Sequence, residues 1–196
     1  MRAIRLVVLF AVSSPAIAQE GMYVGLGLGA FDYSENSPRL APETFDDTVS
    51  AWKIYGGFEL NEHFGFEIRY GATDTIEQTL SGTDPVAGDF TATFGTDFTT
   101  TTVLGVGMLP KDWGTLFGGI GYFDSSGDTA LALTTQCCGP FNDSLSISDS
   151  GLAAVLGVEW RFLRFGSGVA LRLEYEWLDV DNANASTLGI GIAYRF

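Results

Sequence analysis

From Gly21 to the end of the chain, apolar residues alternate with small or polar ones in a period of two, and no helical repeat is sustained. Segments of about ten residues with this alternation are separated by stretches rich in turn-forming residues, which is the pattern of transmembrane strands. The pattern predicts eight strands, at residues 21–32, 51–60, 64–74, 98–109, 115–124, 151–162, 168–178 and 187–196.

The two faces of the predicted strands differ in side-chain size. One face is bulky and uncharged, and the other carries glycine repeatedly together with charged residues. The bulky face includes Leu26, Ile54, Phe66, Ile120, Leu156, Leu171 and Ile190, and strand 98–109 contributes Leu104, Val106 and Met108 to it. Glycines assigned to the opposite face include Gly25, Gly57, Gly105, Gly107 and Gly157.

The width of an eight-stranded barrel decides which face points inward. Such a barrel is only just wide enough for side chains to fill its interior, so the bulky face would overfill it whereas the glycine-rich face fits. On the solvent face of a soluble barrel, so many glycines would only weaken the strands. The sequence therefore predicts an all-β fold, an eight-stranded antiparallel up-and-down transmembrane β-barrel whose bulky face contacts lipid.

Loop lengths and aromatic positions predict the orientation of this barrel. Short turns at 61–63, 110–114 and 163–167 alternate with long polar stretches at 33–50, 75–97 and 125–150, and a shorter loop spans 179–186. Outer-membrane barrels have short periplasmic turns and long external loops, so both termini are expected in the periplasm. Aromatic residues near the strand ends predict two interfacial girdles. The outer girdle is assigned to Trp52, Tyr70, Phe98, Tyr122, Tyr175 and Trp177, and the periplasmic girdle to Phe58, Phe64, Trp160, Phe162, Tyr194 and Phe196.

The first residues have the layout of a secretory signal. Arg2 and Arg5 precede a short apolar run, and small residues follow up to Ala18. The apolar run is too short to cross a bilayer as a helix, which takes about 20 residues. We expect a signal peptide at 1–18 and one barrel domain at 19–196.

The chain is strongly acidic, with 24 Asp and Glu against 10 Lys and Arg and a formal net charge of −14. This charge argues against nucleic acid as a partner. Sixteen acids fall at the predicted outer rim, where only Arg39 opposes them: Asp32, Glu35, Glu43, Asp46, Asp47, Asp74, Glu77, Asp84, Asp89, Asp97, Asp124, Asp128, Asp143, Asp149, Asp179 and Asp181. They are either a soluble, repulsive surface or a means of recruiting divalent cations or a basic partner.

The predicted lumen carries a balanced set of charges. Five cations and five anions fall on the glycine-rich face: Lys53, Arg69, Arg161, Arg172, Arg195, Glu59, Glu67, Glu159, Glu174 and Glu176. Buried charges are tolerated when they are paired, so a neutral network that fills the lumen is one interpretation. The alternative is a gated, narrow ion path lined by the same charges.

The sequence predicts no catalytic, cofactor-binding or metal site. His63 is the only histidine, and it falls in a predicted periplasmic turn, away from any nucleophile that it could activate at the outer rim. Cys137 and Cys138 are neighbours in the third outer loop, where an exported context favours oxidation. Their spacing is not that of a metal motif, and their redox state stays open.

The final strand, STLGIGIAYRF, places Leu188, Ile190, Ile192, Tyr194 and the terminal Phe196 on alternate positions. It resembles the C-terminal signal by which outer-membrane barrels are recognised for assembly. The mature chain is similar to the superfamily that includes OmpA-like transmembrane domains and opacity-type surface proteins. This resemblance implies an outer-membrane location, with membrane lipid and the barrel assembly machinery as partners. We expect a non-enzymatic structural or surface-interaction protein, with a narrow channel as the alternative.

Overall fold

The computed structural model describes residues 21–35, 45–84, 88–135, 139–162, 168–180 and 183–196. The regular elements of these ranges are β-strands: β1 (Met22–Glu35), β2 (Phe45–Glu59), β3 (Phe64–Thr73), β4 (Ile76–Asp84), β5 (Gly88–Lys111), β6 (Gly114–Thr135), β7 (Gly139–Arg161), β8 (Gly168–Leu178) and β9 (Ala183–Arg195). The predicted signal peptide, the turn at 163–167 and the two cysteines lie outside the described residues.

Eight of the strands form a closed antiparallel ring in the order β1, β2, β3, β5, β6, β7, β8 and β9. The last strand pairs back with the first from Tyr23↔Arg195 to Glu35↔Ala183, which closes the ring. The predicted eight-stranded up-and-down barrel is therefore confirmed. No helix in the described ranges has the length and apolar character that a membrane crossing needs.

The two ends of the ring differ. At the turn end, β2 and β3 are joined by residues 60–63 and β5 and β6 by Asp112 and Trp113, and Gly21 and Phe196 bond to the neighbouring strands. At the hairpin end, β5, β6 and β7 are 24, 22 and 23 residues long and continue past the ring.

The prediction of irregular outer loops at 75–97 and 125–150 was wrong. β4 pairs with β5 from Ile76↔Thr96 to Asp84↔Gly88, and β6 pairs with β7 out to Thr135↔Gly139. These segments are strands because their alternation continues and each strand satisfies the backbone groups of its neighbour. The expected loops at 33–50 and 179–186 were also too long, because β1 extends to Glu35, β2 begins at Phe45 and β9 begins at Ala183.

The extra strand β4 continues the line of β3 beyond the ring. β3 pairs with residues 99–107 of β5, and β4 pairs with residues 88–96 along the same edge. The hairpin end therefore bears a four-stranded sheet, which we call the exposed sheet. It consists of β4 with residues 88–97, 124–135 and 139–150 of β5, β6 and β7.

The predicted facing of strand 98–109 was inverted, whereas the other seven strands face as predicted. Leu104, Val106 and Met108 are almost fully buried inside the ring, and Val103 and Leu109 are more than half exposed on the lipid side. Register explains the placement, because Leu104 lies opposite Glu67 and shares its inward face. Both faces of this strand are apolar. The rule that glycine-rich faces point into the lumen therefore failed for Gly105 and Gly107, which lie on the outer face.

Phe98 belongs to the same correction. It does not join the outer girdle, because its ring packs inside the barrel mouth at 6.1 Å from Phe31 and 5.6 Å from Tyr33, measured between centroids. Other predicted girdle members do lie on the lipid face. Trp52 and Tyr70 pack at 6.0 Å, and Tyr194 and Phe196 meet edge to face at 5.2 Å.

Candidate functional site

Glycines on the inner wall make room for large rings in the lumen. A Cβ added at Gly25 would lie 2.3 Å from the Tyr55 ring, and one added at Gly57 would lie 2.3 Å from the Tyr23 ring. Such contacts are far closer than carbon atoms tolerate. The glycine-rich face therefore accommodates aromatic side chains across a barrel that has little free width.

All ten predicted lumen charges contact opposite charges inside the ring, and they form two groups. The central cluster contains Lys53, Glu67, Arg69, Arg172, Glu174 and Glu176. The turn-end cluster contains Glu59, Glu159, Arg161 and Arg195. The central cluster comes from β2, β3 and β8. β2 and β3 are consecutive strands that pair in the ring, whereas β8 is distant in sequence and its side chains meet theirs across the lumen.

Arg69 and Arg172 hold the central cluster together. The Arg69 guanidinium lies 2.6 Å from Glu67 and 3.0 Å from Glu176, and that of Arg172 lies 2.6 Å from Glu67 and 2.9 Å from Glu174. Lys53 approaches Glu174 at 2.5 Å and Glu176 at 2.7 Å. These side chains are at most 9 % exposed, so the pairs are screened very little by solvent.

The turn-end cluster is organised around Arg195. Its guanidinium donates to Glu159 at 2.8 Å and also bonds Glu59. Arg161 joins from β7, at 3.3 Å from Glu59 and 3.2 Å from Glu159, but its side chain is 43 % exposed. The last strand is thereby tied to both β2 and β7 on the inside of the ring.

Aromatic rings fill the space between the two clusters. The Arg172 guanidinium stacks 3.9 Å from the Phe117 centroid and 4.8 Å from that of Tyr55, and Arg195 lies 4.7 Å from the Tyr23 ring. The Tyr23 hydroxyl donates to Glu67 at 2.6 Å. Cation–π contacts of desolvated arginines stabilise such an arrangement by up to about 2 kcal/mol each.

The opposite half of the lumen is apolar, in contrast to the charged lining predicted from the sequence. Leu104, Val106 and Met108 of β5 cluster with Phe117 and Phe123 of β6 and with other buried residues. At the mouth, Phe31, Tyr33 and Phe98 adjoin this cluster. In β5, Leu104, Val106 and Met108 alternate visibly with smaller residues in the sequence. Only the pairing of Leu104 with Glu67 shows that these three side chains face the lumen.

A small cavity remains between the central cluster and the mouth. Its volume is about 50 Å³, and its lining includes Gly27, Phe31, Lys53, Thr102 and Glu176. Since a cavity needs about 10 to 15 Å³ for each water, there is room for only a few waters.

The exposed sheet has two chemically different faces. The face that continues the lumen wall carries Phe90, Phe94, Leu131, Leu133, Phe141, Leu145 and Ile147, and the other face carries Thr79, Ser81, Thr91, Thr93, Ser144 and Ser146. Hydroxyl side chains meet across strands on the second face, as in Thr79 with Thr93 at 3.3 Å and Ser146 with Asp128 at 2.7 Å. This region was predicted as polar loop, because serine and threonine are frequent in both turns and exposed strands.

His63 lies in the β2–β3 turn, as predicted. Its Nδ1 is 3.3 Å from the Met108 carbonyl and its Nε2 is 3.6 Å from Glu62. Within the described ranges, no three His, Cys, Asp or Glu residues are grouped as a metal site would require.

The ring of eight strands, the outward-facing apolar band and the ion pairs inside the ring define a transmembrane β-barrel. The family model of the outer membrane protein beta-barrel domain matches residues 4–196, so the chain belongs to this family and is a protein of the bacterial outer membrane. Comparison with curated proteins gives no match.

Solved structures with the same fold include Ail, the attachment invasion locus protein of Yersinia pestis, in complex with the heparin analogue sucrose octasulfate. It is 17 % identical with a TM-score of 0.54, and the match covers 91 % of this chain and 100 % of that one. Neisserial surface protein A is 14 % identical with a TM-score of 0.48, over 90 % of this chain and 97 % of that one.

Proposed function

We propose that this barrel is a structural or surface-interaction protein, which meets its partners through the exposed sheet and keeps its lumen closed. The extension of β4 to β7 beyond the ring carries the proposal, because a barrel that served only as a membrane anchor has no use for it. We assign the turn end and both termini to the periplasm and the hairpin end to the exterior, in keeping with the short-turn, long-loop rule of this architecture.

The charge of the exposed sheet indicates the kind of partner. Residues 76–110 and 114–150 contain eight acids and no Lys, Arg or His. The relative Ail was crystallised with a sulfated heparin analogue, but a polyanion would be repelled by this acidic surface. A basic partner, or divalent cations held weakly by scattered carboxylates, fits it better. The same lack of a histidine near the exposed sheet supports a non-enzymatic role.

Removal of the β6–β7 hairpin tests this proposal. Ser125 lies opposite Asp149 in a pair whose backbone groups face each other, so an Asn-Gly turn between them would replace residues 126–148 and leave the ring intact. Cells that display the wild-type protein should adhere to host-cell or abiotic surfaces, and cells with the trimmed protein should not. Equal heat-modifiable mobility and membrane yield would control for barrel folding. Adhesion that is unchanged by trimming would contradict the proposal.

A narrow channel is the second candidate, and the cavity beside Lys53 and Glu176 is the observation in its favour. The ion pairs and aromatic rings that surround it favour closure, since open aqueous channels take about 16 to 18 strands. Purified protein in planar bilayers should show at most rare, small openings. Steady ohmic conductance from the wild-type monomer would support the channel instead.

A further inference from the structure

One edge of the exposed sheet has no neighbouring strand among the described residues. β7 pairs with β6 from Gly139 to Glu159, but β8 accompanies β7 on its other side only from Ala153 to Arg161. Residues 139–151 therefore form an open edge, with β6 on one side and no described strand on the other. Exposed edges of this kind are templates for the addition of a further strand.

The backbone bonds at the end of the ring show which residues of β7 face the open edge. The Leu152 carbonyl accepts a bond from the Asp179 N–H at 2.9 Å, on the side of β8. In antiparallel sheets the N–H and C=O of one residue point to the same side, and successive residues alternate. Because the register with β6 is unbroken, the residues that direct both groups to the open edge are Asn142, Ser144, Ser146, Ser148 and Ser150.

Side chains along the open edge are exposed on both faces. Phe141, Leu145 and Ile147 present apolar side chains on one face, and Leu145 is 66 % exposed. Serines occupy the other face. The segment Asp143–Asp149 reads DSLSISD, so its chemistry is the same in both chain directions. A strand with a matching alternation could therefore bind parallel or antiparallel to it.

We propose that the open edge of β7 binds an extended, basic segment of a partner protein as an additional β-strand. This inference rests on the proposed surface-interaction function and specifies its partner. The N–H groups of Ser144 and Ser150 already donate to the side chains of Asp143 and Asp149, at 2.8 and 2.7 Å. Main-chain bonds to Asn142, Ser146 and Ser148 would therefore supply affinity, and alternate side chains would supply specificity. The segment would place small apolar residues beside Leu145 and Ile147, and Lys or Arg beside the acidic ends. The charge of the whole exposed sheet would attract it.

A palindromic peptide tests the proposal without knowledge of the natural partner. In the fluorescently labelled heptapeptide KTVTVTK, the lysines would lie opposite Asp143 and Asp149, and the valines opposite Leu145 and Ile147. The threonines would lie opposite the serines. It should bind the full-length protein in lipid nanodiscs, and it should slow amide hydrogen exchange at residues 142–150. The peptide ETVTVTE, with the same apolar pattern and opposite charge, should bind at least about tenfold more weakly at low salt, because opposite charges stabilise cross-strand pairs.

Two substitutions separate edge addition from simple charge attraction. Ser146→Pro removes an outward N–H without loss of a bond to β6, and it should weaken peptide binding about fivefold. Ser146→Ala is the matched control, because it also loses the contact with Asp128 but keeps the N–H. Equal binding by both variants, or protection confined to β4, would overturn the proposal. Failure of the peptide to bind would overturn it while leaving the adhesion test of the trimmed hairpin unaffected.

Discussion

Replacement of Arg172 by methionine should test whether the lumen charges stabilise the barrel as a buried network. Methionine keeps an unbranched side chain of similar reach but removes the guanidinium, which contacts Glu67 at 2.6 Å and Glu174 at 2.9 Å. Glu67 is fully buried and Glu174 almost so. The variant would leave the lumen with one excess negative charge that water cannot reach.

The expected cost follows from the contacts that remain. Removal of one partner from a buried ion pair costs about 3 to 5 kcal/mol, and loss of the stacking on Phe117 adds to this cost. Glu67 keeps its contacts with Arg69 at 2.6 Å and with the Tyr23 hydroxyl at 2.6 Å, and these contacts reduce the loss of stability. We therefore expect a loss of about 3 kcal/mol in the free energy of unfolding. With a urea slope of about 1 to 3 kcal/mol per molar, the midpoint should fall by about 1 to 3 M.

Arg161→Met is the matched control, because Arg161 also pairs with two glutamates but is 43 % exposed. Exposed ion pairs contribute about 0 to 1 kcal/mol, so this variant should unfold close to the wild type. Tryptophan fluorescence of protein refolded in lipid vesicles would follow both transitions. A second charge change, Glu67→Gln, should recover part of the loss in the Arg172→Met background. Equal midpoints for the two arginine variants would refute the idea of a stabilising buried network.

Three further predictions concern the glycines of the barrel wall, the C-terminal residue and the two cysteines. Gly57→Ala should destabilise the barrel by about 1 to 3 kcal/mol because its Cβ would meet an aromatic ring, whereas Gly105→Ala, with its nearest neighbour at 3.9 Å, should be neutral in the same urea titration. Deletion of Phe196 should reduce outer-membrane yield, because it removes a lipid-facing contact of the last strand, and normal yield would contradict this. Reduction of Cys137 and Cys138 should leave the melting temperature unchanged, because neighbouring cysteines close no long loop; a large decrease would indicate a bond between chains.

The charged lining of the lumen was predictable residue by residue, but its pairing was not. Strand parity alone placed Lys53, Glu174 and Glu176 on the inner face. Their mutual contact depends on which strands meet across the ring, since Lys53 reaches glutamates more than 120 positions away. Strand parity could not show which face of β5 points inward. The lumen is apolar next to β5, so Leu104 and Val103 would each be suitable for the lipid-facing side.

The exposed sheet was not predicted from the sequence, because its strands are rich in residues that are also common in loops. Residues 89–94 alternate strictly between polar residues on one side and Phe90, Ala92 and Phe94 on the other, which is a strand pattern. The prediction ended the strand at 98 because the length of a membrane crossing, about ten residues, was used as the limit. The thickness of the bilayer sets a minimum length for a membrane-crossing strand, but it sets no maximum for a strand that continues outside the membrane.

The acids that favour a basic partner should also prevent β7 from pairing with a second copy of itself. Antiparallel pairing about Ser146 would place Leu145 opposite Ile147, but it would also place Asp143 opposite Asp149 twice. Like charges directly opposite each other destabilise a sheet, and charged residues on an edge prevent aggregation.

The variant Asp143→Asn with Asp149→Asn should therefore associate at concentrations where the wild type stays monomeric, as measured by analytical ultracentrifugation in detergent. Asp89→Asn with Asp97→Asn is the matched control, because it removes the same charge from the inner strand β5. Equal association of both variants would show that net charge, and not the edge, keeps the chains apart. Because antiparallel pairing inverts one copy relative to the other, the pairing partner must come from a facing membrane. The edge variant should therefore clump cells together rather than form dimers within one membrane.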